Sequence, residues 1–123
     1  MNRTQGIAAP YALIAGAFYL ADGIWGFFSP ITFGVLSTNL LHTIIHTAMG
    51  VLGIYAARAT GARLWCIGVG LIVLPVGALY FVPAVNGLLV SLFNLNRTVS
   101  IMNIVLGVVS LLMAQMSPKT SRI

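Results

Sequence analysis

Acid is the scarcest commodity in this chain: of 123 residues only Asp22 has a carboxylate side chain. One carboxylate excludes mechanisms that set two acidic groups about a scissile bond, glycoside hydrolysis among them. Cysteine is equally scarce, and Cys66 alone can neither close an internal disulfide nor supply a thiolate metal site. Charged residues together make up 6% of the chain, against roughly 25% in soluble globular proteins. Hydrophobic residues fill 59% of it, and the mean hydropathy is +1.03. Such a chain lacks the side chains needed to clothe a surface facing water, so most of its exterior must meet lipid.

The cations are Arg3, Arg58, Arg63, Arg97, Lys119 and Arg122, giving a formal charge of +5. They stand singly between apolar runs rather than in a basic stripe, which excludes a nucleic-acid partner and makes the charge a topology signal. Catalytic motifs are absent too. No serine sits in Gly-x-Ser-x-Gly, and the glycines lie inside apolar runs rather than in a phosphate loop. His42-x-x-x-His46 has the histidine spacing of a zinc protease, but Thr43 stands where the base glutamate belongs and no acidic ligand follows. The expectation is a protein that is not an enzyme.

Apolar stretches of membrane-crossing length cover residues 7–28, 40–57, 64–82 and 99–116. Helices of about 20 residues span the hydrocarbon core, and helices satisfy their own backbone groups there. No stretch has the charged outer stripe of a soluble bundle or the period-two alternation of a membrane barrel. The first run is longer than the apolar segment of a secretory signal and reads as a retained first helix. The sequence therefore predicts an all-α, four-span transmembrane bundle forming a single domain. Arg3, Arg58, Arg63, Lys119 and Arg122 fall on one side of it and Arg97 on the other, so both termini are predicted to be cytoplasmic. Ser29-Pro30 should end the first span, Thr38 or Asn39 should cap the second, and Pro75 should kink the third. The connection 83–96 is apolar and uncharged, suited to an interfacial helix or a folded loop at the outer surface.

Two segments match at an offset of 57: Asn39 pairs with Asn96, Thr43 with Ser100, His46 with Asn103 and Gly50 with Gly107. At an offset of 54, Gly16 pairs with Gly70 and Gly23 with Gly77. The chain reads as two tandem two-helix units, about 7–57 and 64–116. Units with an even number of spans are parallel and related by an axis along the membrane normal. Gly16, Gly23, Gly50, Gly53, Gly70, Gly77 and Gly107 are the expected helix-packing positions, because small residues let helices approach closely in lipid.

A rise of 1.5 Å per residue places Asp22, His46 and Asn103 at one bilayer level, about 10 Å inward from the outer ends of their spans. His42 and His46 share a helix face with Gly50, Gly53 and Ala57, while Tyr19 shares one with Asp22. A carboxylate in hydrocarbon needs a partner or a proton. Asp22 is therefore expected to hydrogen-bond His46 or His42, with Tyr19 and Asn103 as neighbours. Three uses stay open for this polar cluster. It can be a structural knot; it can move a proton or ion; or His42 or His46 can ligate a haem iron or chlorophyll magnesium.

The repeat Asn39-x-x-His42-x-x-x-His46-x-x-x-Gly50, with its weaker copy from Asn96 to Gly107, resembles an uncharacterised bacterial family of small four-helix integral membrane proteins, classed as a domain of unknown function. The likeness runs from about Ala12 to Leu112. Asn39, Leu41, His42, His46, Gly50 and Gly53 stand where such proteins have them. The second copy departs: Asn103 replaces a frequent histidine, and Arg97 stands where an Asp or Asn is common. The resemblance implies a bacterial inner or thylakoid membrane and no activity. The leading functional expectation is a noncatalytic structural or accessory subunit of a larger membrane complex or homo-oligomer, with pigment ligation and proton-coupled or ion transport as alternatives.

Overall fold

The computed structural model describes residues 5–118. Its elements run α1 (Ala8–Gly26), β1 (Ile31–Thr32), β2 (Leu36–Ser37), α2 (Leu40–Arg58), α3 (Ala62–Tyr80), α4 (Pro83–Phe93) and α5 (Arg97–Gln115). The described chain is thus mostly helical, and three helices, α2, α3 and α5, are long and apolar enough to cross a membrane. The equally long α1 is made more polar by Pro10, Tyr11, Tyr19 and Asp22, and falls outside that set.

Local chemistry sets the boundaries. α1 stops at Gly26, before Ser29-Pro30. A short antiparallel hairpin follows, pairing Ile31 with Ser37 and Thr32 with Leu36. Its turn needs two successive left-handed residues, Phe33 (φ 51°) and Gly34 (φ 75°), as hairpin turns of the mirror-image type do. Phe33 bears the steric cost of that conformation, about 1–2 kcal/mol. Its ring is held by stacking on Phe18 at 5.5 Å and by Trp25 at 4.9 Å. Asn39 and Asn96 cap α2 and α5 in the same way, their Oδ1 atoms accepting from the N–H groups of His42 (3.0 Å) and Val99 (2.8 Å). α3 starts earlier and ends earlier than the apolar run 64–82, at Ala62 and Tyr80, and carries Pro75 within it. The connection after it forms α4, opened by Pro83 at its first turn and closed by Asn94 in the left-handed conformation.

α1 packs along α2 and α3 packs along α5, with thinner contacts between the pairs. The interfaces inside each pair are built from small residues. A Cβ at Gly16 would stand 3.0 Å from the Gly50 carbonyl oxygen, and one at Gly70 would stand 3.1 Å from that of Gly107. Gly23, Gly53 and Gly77 are likewise buried in these interfaces, against Thr47, Ala12 and Ser100. The outward faces are apolar all round, with Ile14, Leu40 and Leu71 each more than half exposed.

Each end of the bundle is tied by polar side chains. At one end Gln5 Nε2 donates to the carbonyls of Ala56 (2.9 Å) and Ala57 (3.4 Å), and its Oε1 accepts from the Ala62 N–H (2.7 Å). Close by, the Ala8 N–H donates to Ser117 Oγ (2.9 Å) and Arg63 Nε to the Ala114 carbonyl (3.1 Å). The start of α1, the end of α5 and the turn between Arg58 and Arg63 therefore share one end; Arg3, Lys119 and Arg122 lie outside the described residues. The opposite end holds the hairpin, α4 and Arg97. There Asn39 Nδ2 donates to the Leu92 carbonyl (2.8 Å) and Asn96 Nδ2 to that of Val35 (3.0 Å).

Candidate functional site

The polar groups near that second end form one chain. Asp22 sits four residues before the end of α1, on its buried side, 4% exposed. His46, 3% exposed and on the first half of α2, brings Nδ1 to 2.5 Å from Asp22 Oδ2. One helical turn earlier His42 brings its Nε2 to 3.1 Å from His46 Nε2. His42 Nδ1 then donates to the Phe93 carbonyl at 3.1 Å, in the last turn of α4. At the other extreme Thr32, buried on β1, donates its hydroxyl hydrogen to Asp22 Oδ1. Five groups from four elements are thereby linked: Thr32, Asp22, His46, His42 and the Phe93 backbone.

Asp22 pairs with His46 directly and with His42 only through it. Tyr19 lies fully buried with its ring edge-on to His46, 5.2 Å between centroids, but its hydroxyl has no hydrogen-bond partner among the described residues. Asn103, 2% exposed on α5, faces the histidines across a cavity of about 50 Å³ whose walls include Met49, Val73 and Phe93. Its Oδ1 also lacks a partner among the described residues. A cavity of that size with polar atoms on its wall can hold water.

The two partners absent from the sequence expectation, Thr32 and the Phe93 carbonyl, lie in connecting segments. Thr32 had a faint signal, a lone β-branched hydroxyl between Pro30 and Gly34; a backbone carbonyl has none. Trp65, in the first turn of α3, turns its side chain against α2. Its indole N–H donates to the Met49 carbonyl at 3.0 Å and its ring covers Gly53.

Metal or pigment ligation finds little purchase here. Every ring nitrogen of His42 and His46 already has a protein partner, so a haem or chlorophyll metal would have to displace one. The adjoining cavity is far too small for a macrocycle. Among the described residues no group of three or more His, Cys, Asp or Glu side chains is arranged to hold a metal ion.

Helices of which three are long and apolar enough to cross a membrane, closed around a buried carboxylate–imidazole–imidazole sequence, define the class of protein. Residues 9–116 match the family model described as a domain of unknown function, DUF4383, and the chain belongs to that family. No curated protein and no solved structure matches it.

Proposed function

We propose that this protein is a noncatalytic integral membrane protein, a structural or accessory subunit that packs against a larger membrane complex or against copies of itself. In this reading α1 joins α2, α3 and α5 as a fourth span, because its outward face, Ile14, Ala17, Ala21 and Ile24, is free of charge. The termini and the turn between Arg58 and Arg63 then face the cytoplasm of a bacterial inner or thylakoid membrane, on the positive-inside rule. The two helix pairs are read as tandem repeats about an axis along the membrane normal. What supports this is the reciprocal bonding of Asn39 to Leu92 and Asn96 to Val35, since both residue pairs stand at the same offset of 57.

The observation that carries the subunit reading is a groove on the outward side of α2, beside the residue that follows α1. It is lined by Phe27, Ile44, Thr47, Ala48, Val51 and Leu52, where a small residue lets another apolar helix approach. Isolation in mild detergent from the native membrane tests it. A complex or homo-oligomer is expected, weakened by Ala48→Phe; a stable monomer without a partner at native expression overturns the reading. The same preparation should be colourless, and a Soret or chlorin band removed by His42→Ala or His46→Ala would restore pigment ligation.

Proton or ion movement is a second reading, favoured by the unbroken chain from Asp22 to the Phe93 carbonyl. It predicts a flux in proteoliposomes that Asp22→Asn and His46→Ala both abolish, and unchanged flux in both variants removes it.

A further inference from the structure

The geometry points to a proton-binding site: Asp22, His46 and His42 together hold one proton more than a carboxylate and two neutral imidazoles possess, and the cluster carries no net charge. The hydrogens follow from what each atom can do. A carbonyl oxygen only accepts, so the 3.1 Å contact with Phe93 requires a hydrogen on His42 Nδ1. Two imidazole nitrogens 3.1 Å apart need one hydrogen between them, because two lone pairs or two N–H groups would repel. The 2.5 Å contact between His46 Nδ1 and Asp22 Oδ2 requires a third. Two neutral imidazoles bring only two hydrogens. The third is an added proton, and it balances the charge of Asp22.

That proton has three stations. It resides on Asp22 Oδ2, leaving both rings neutral; on His46, forming an imidazolium beside the carboxylate; or on His42, after the hydrogen between the Nε2 atoms shifts. Each move transfers one hydrogen across an existing hydrogen bond and leaves every gap filled, so the titration belongs to the cluster and not to any one residue. Thr32, which bonds the other carboxylate oxygen, stays a donor throughout. The facing groups leave the count unchanged. α1 adds Tyr19, α5 adds Asn103, and α3 presents Val73 and Val76, while Arg97 is exposed to the outside. Net neutrality is also what a low-dielectric setting favours, since an unpaired charge there is costly. Loss of the proton leaves two hydrogens for three gaps, so one link opens. The inference depends neither on the subunit reading nor on a proton crossing the membrane.

The test is a hydrogen count on the whole protein in lipid nanodiscs, labelled with ¹⁵N-histidine and read by NMR. Three bridging hydrogens are expected: one on His42 Nδ1, one between the Nε2 atoms and one strongly deshielded beside Asp22. Raising the pH should release one proton per chain as one of the three signals disappears. Asp22→Asn keeps the shape and supplies the third hydrogen from its own carboxamide, so it should retain three bridging hydrogens and lose that proton release. Only two bridging hydrogens in the wild-type chain at every pH where it is folded would overturn the proposal. Proton release by Asp22→Asn equal to that of the wild type would do the same.

Discussion

Gly16 on α1 lies against Gly50 on α2, and Gly70 on α3 lies against Gly107 on α5, so the two helix pairs are joined alike. Their polar content is not alike. At the offsets that align these glycines, Val73 stands opposite Tyr19, Val76 opposite Asp22, Val99 opposite His42 and Leu89 opposite Thr32. Of the hydrogen-bonded chain only His46 keeps a polar counterpart, Asn103, whose Oδ1 has no partner among the described residues. Close approach of helices in lipid demands small residues in both pairs, because packing is what holds them together. Polar chemistry has no such requirement and is concentrated in one.

Asp22→Ala should break this contrast most severely. It strips His46 and Thr32 of their acceptor inside the bundle, and loss of one partner of a buried pair costs about 3–5 kcal/mol. Val76→Ala, at the aligned position, removes only part of a half-buried apolar side chain and should cost about 1 kcal/mol. Reversible unfolding in mixed micelles measures both, and equal losses would mean that the polar chain contributes no more than its volume.

Valine at Gly50 and at Gly107 addresses the likeness instead. The first added carbon would stand 2.7 Å from the Gly16 carbonyl oxygen in one pair and 2.6 Å from Leu74 Cβ in the other. Both helix pairs must then part, at about 2–3 kcal/mol each by the usual scale of overpacking. Similar losses of thermal stability are expected. A loss confined to one variant would show that only one pair depends on close approach.

The caps offer a finer comparison. Asn39→Ala and Asn96→Ala each remove a helix cap, worth about 1 kcal/mol, together with one bond to the opposite half. Their effects should match within a few tenths of a kcal/mol, read by hydrogen exchange at the first turns of α2 and α5. A much larger effect of Asn39→Ala would mean that the bond to α4 matters more than its counterpart at the hairpin.

Much of this arrangement is legible in the residues alone. Helical rise and periodicity suffice to set Asp22 and His46 at one depth and to turn His42, His46, Gly50 and Gly53 to one side, because both follow from fixed helix geometry. Composition suffices for an apolar exterior. The hairpin is harder to read: two strands of two residues are too short for any alternating pattern, and their turn places Phe33 in a conformation its side chain disfavours. The Phe93 carbonyl cannot be read at all, since every residue has a carbonyl and only the docking of α4 brings this one to His42. Gln5 is similar; its three bonds to the end of α2 and the start of α3 join residues more than fifty positions apart.

Asn103→Leu should have the smallest effect and the most informative sign. A buried carboxamide oxygen without a partner has lost its hydration for no return, and a leucine of similar size removes that penalty. The substitution should be neutral or stabilising by up to about 1 kcal/mol, whereas His46→Leu, at the aligned position, should be clearly destabilising because it leaves Asp22 without its imidazole. Unfolding of the two variants side by side gives the comparison. A loss above about 1 kcal/mol for Asn103→Leu would mean that the carboxamide is satisfied in the membrane by an occupant of the cavity it shares with the two histidines. The two pairs would then differ in which partner their polar residue finds, a side chain in one and a guest molecule in the other.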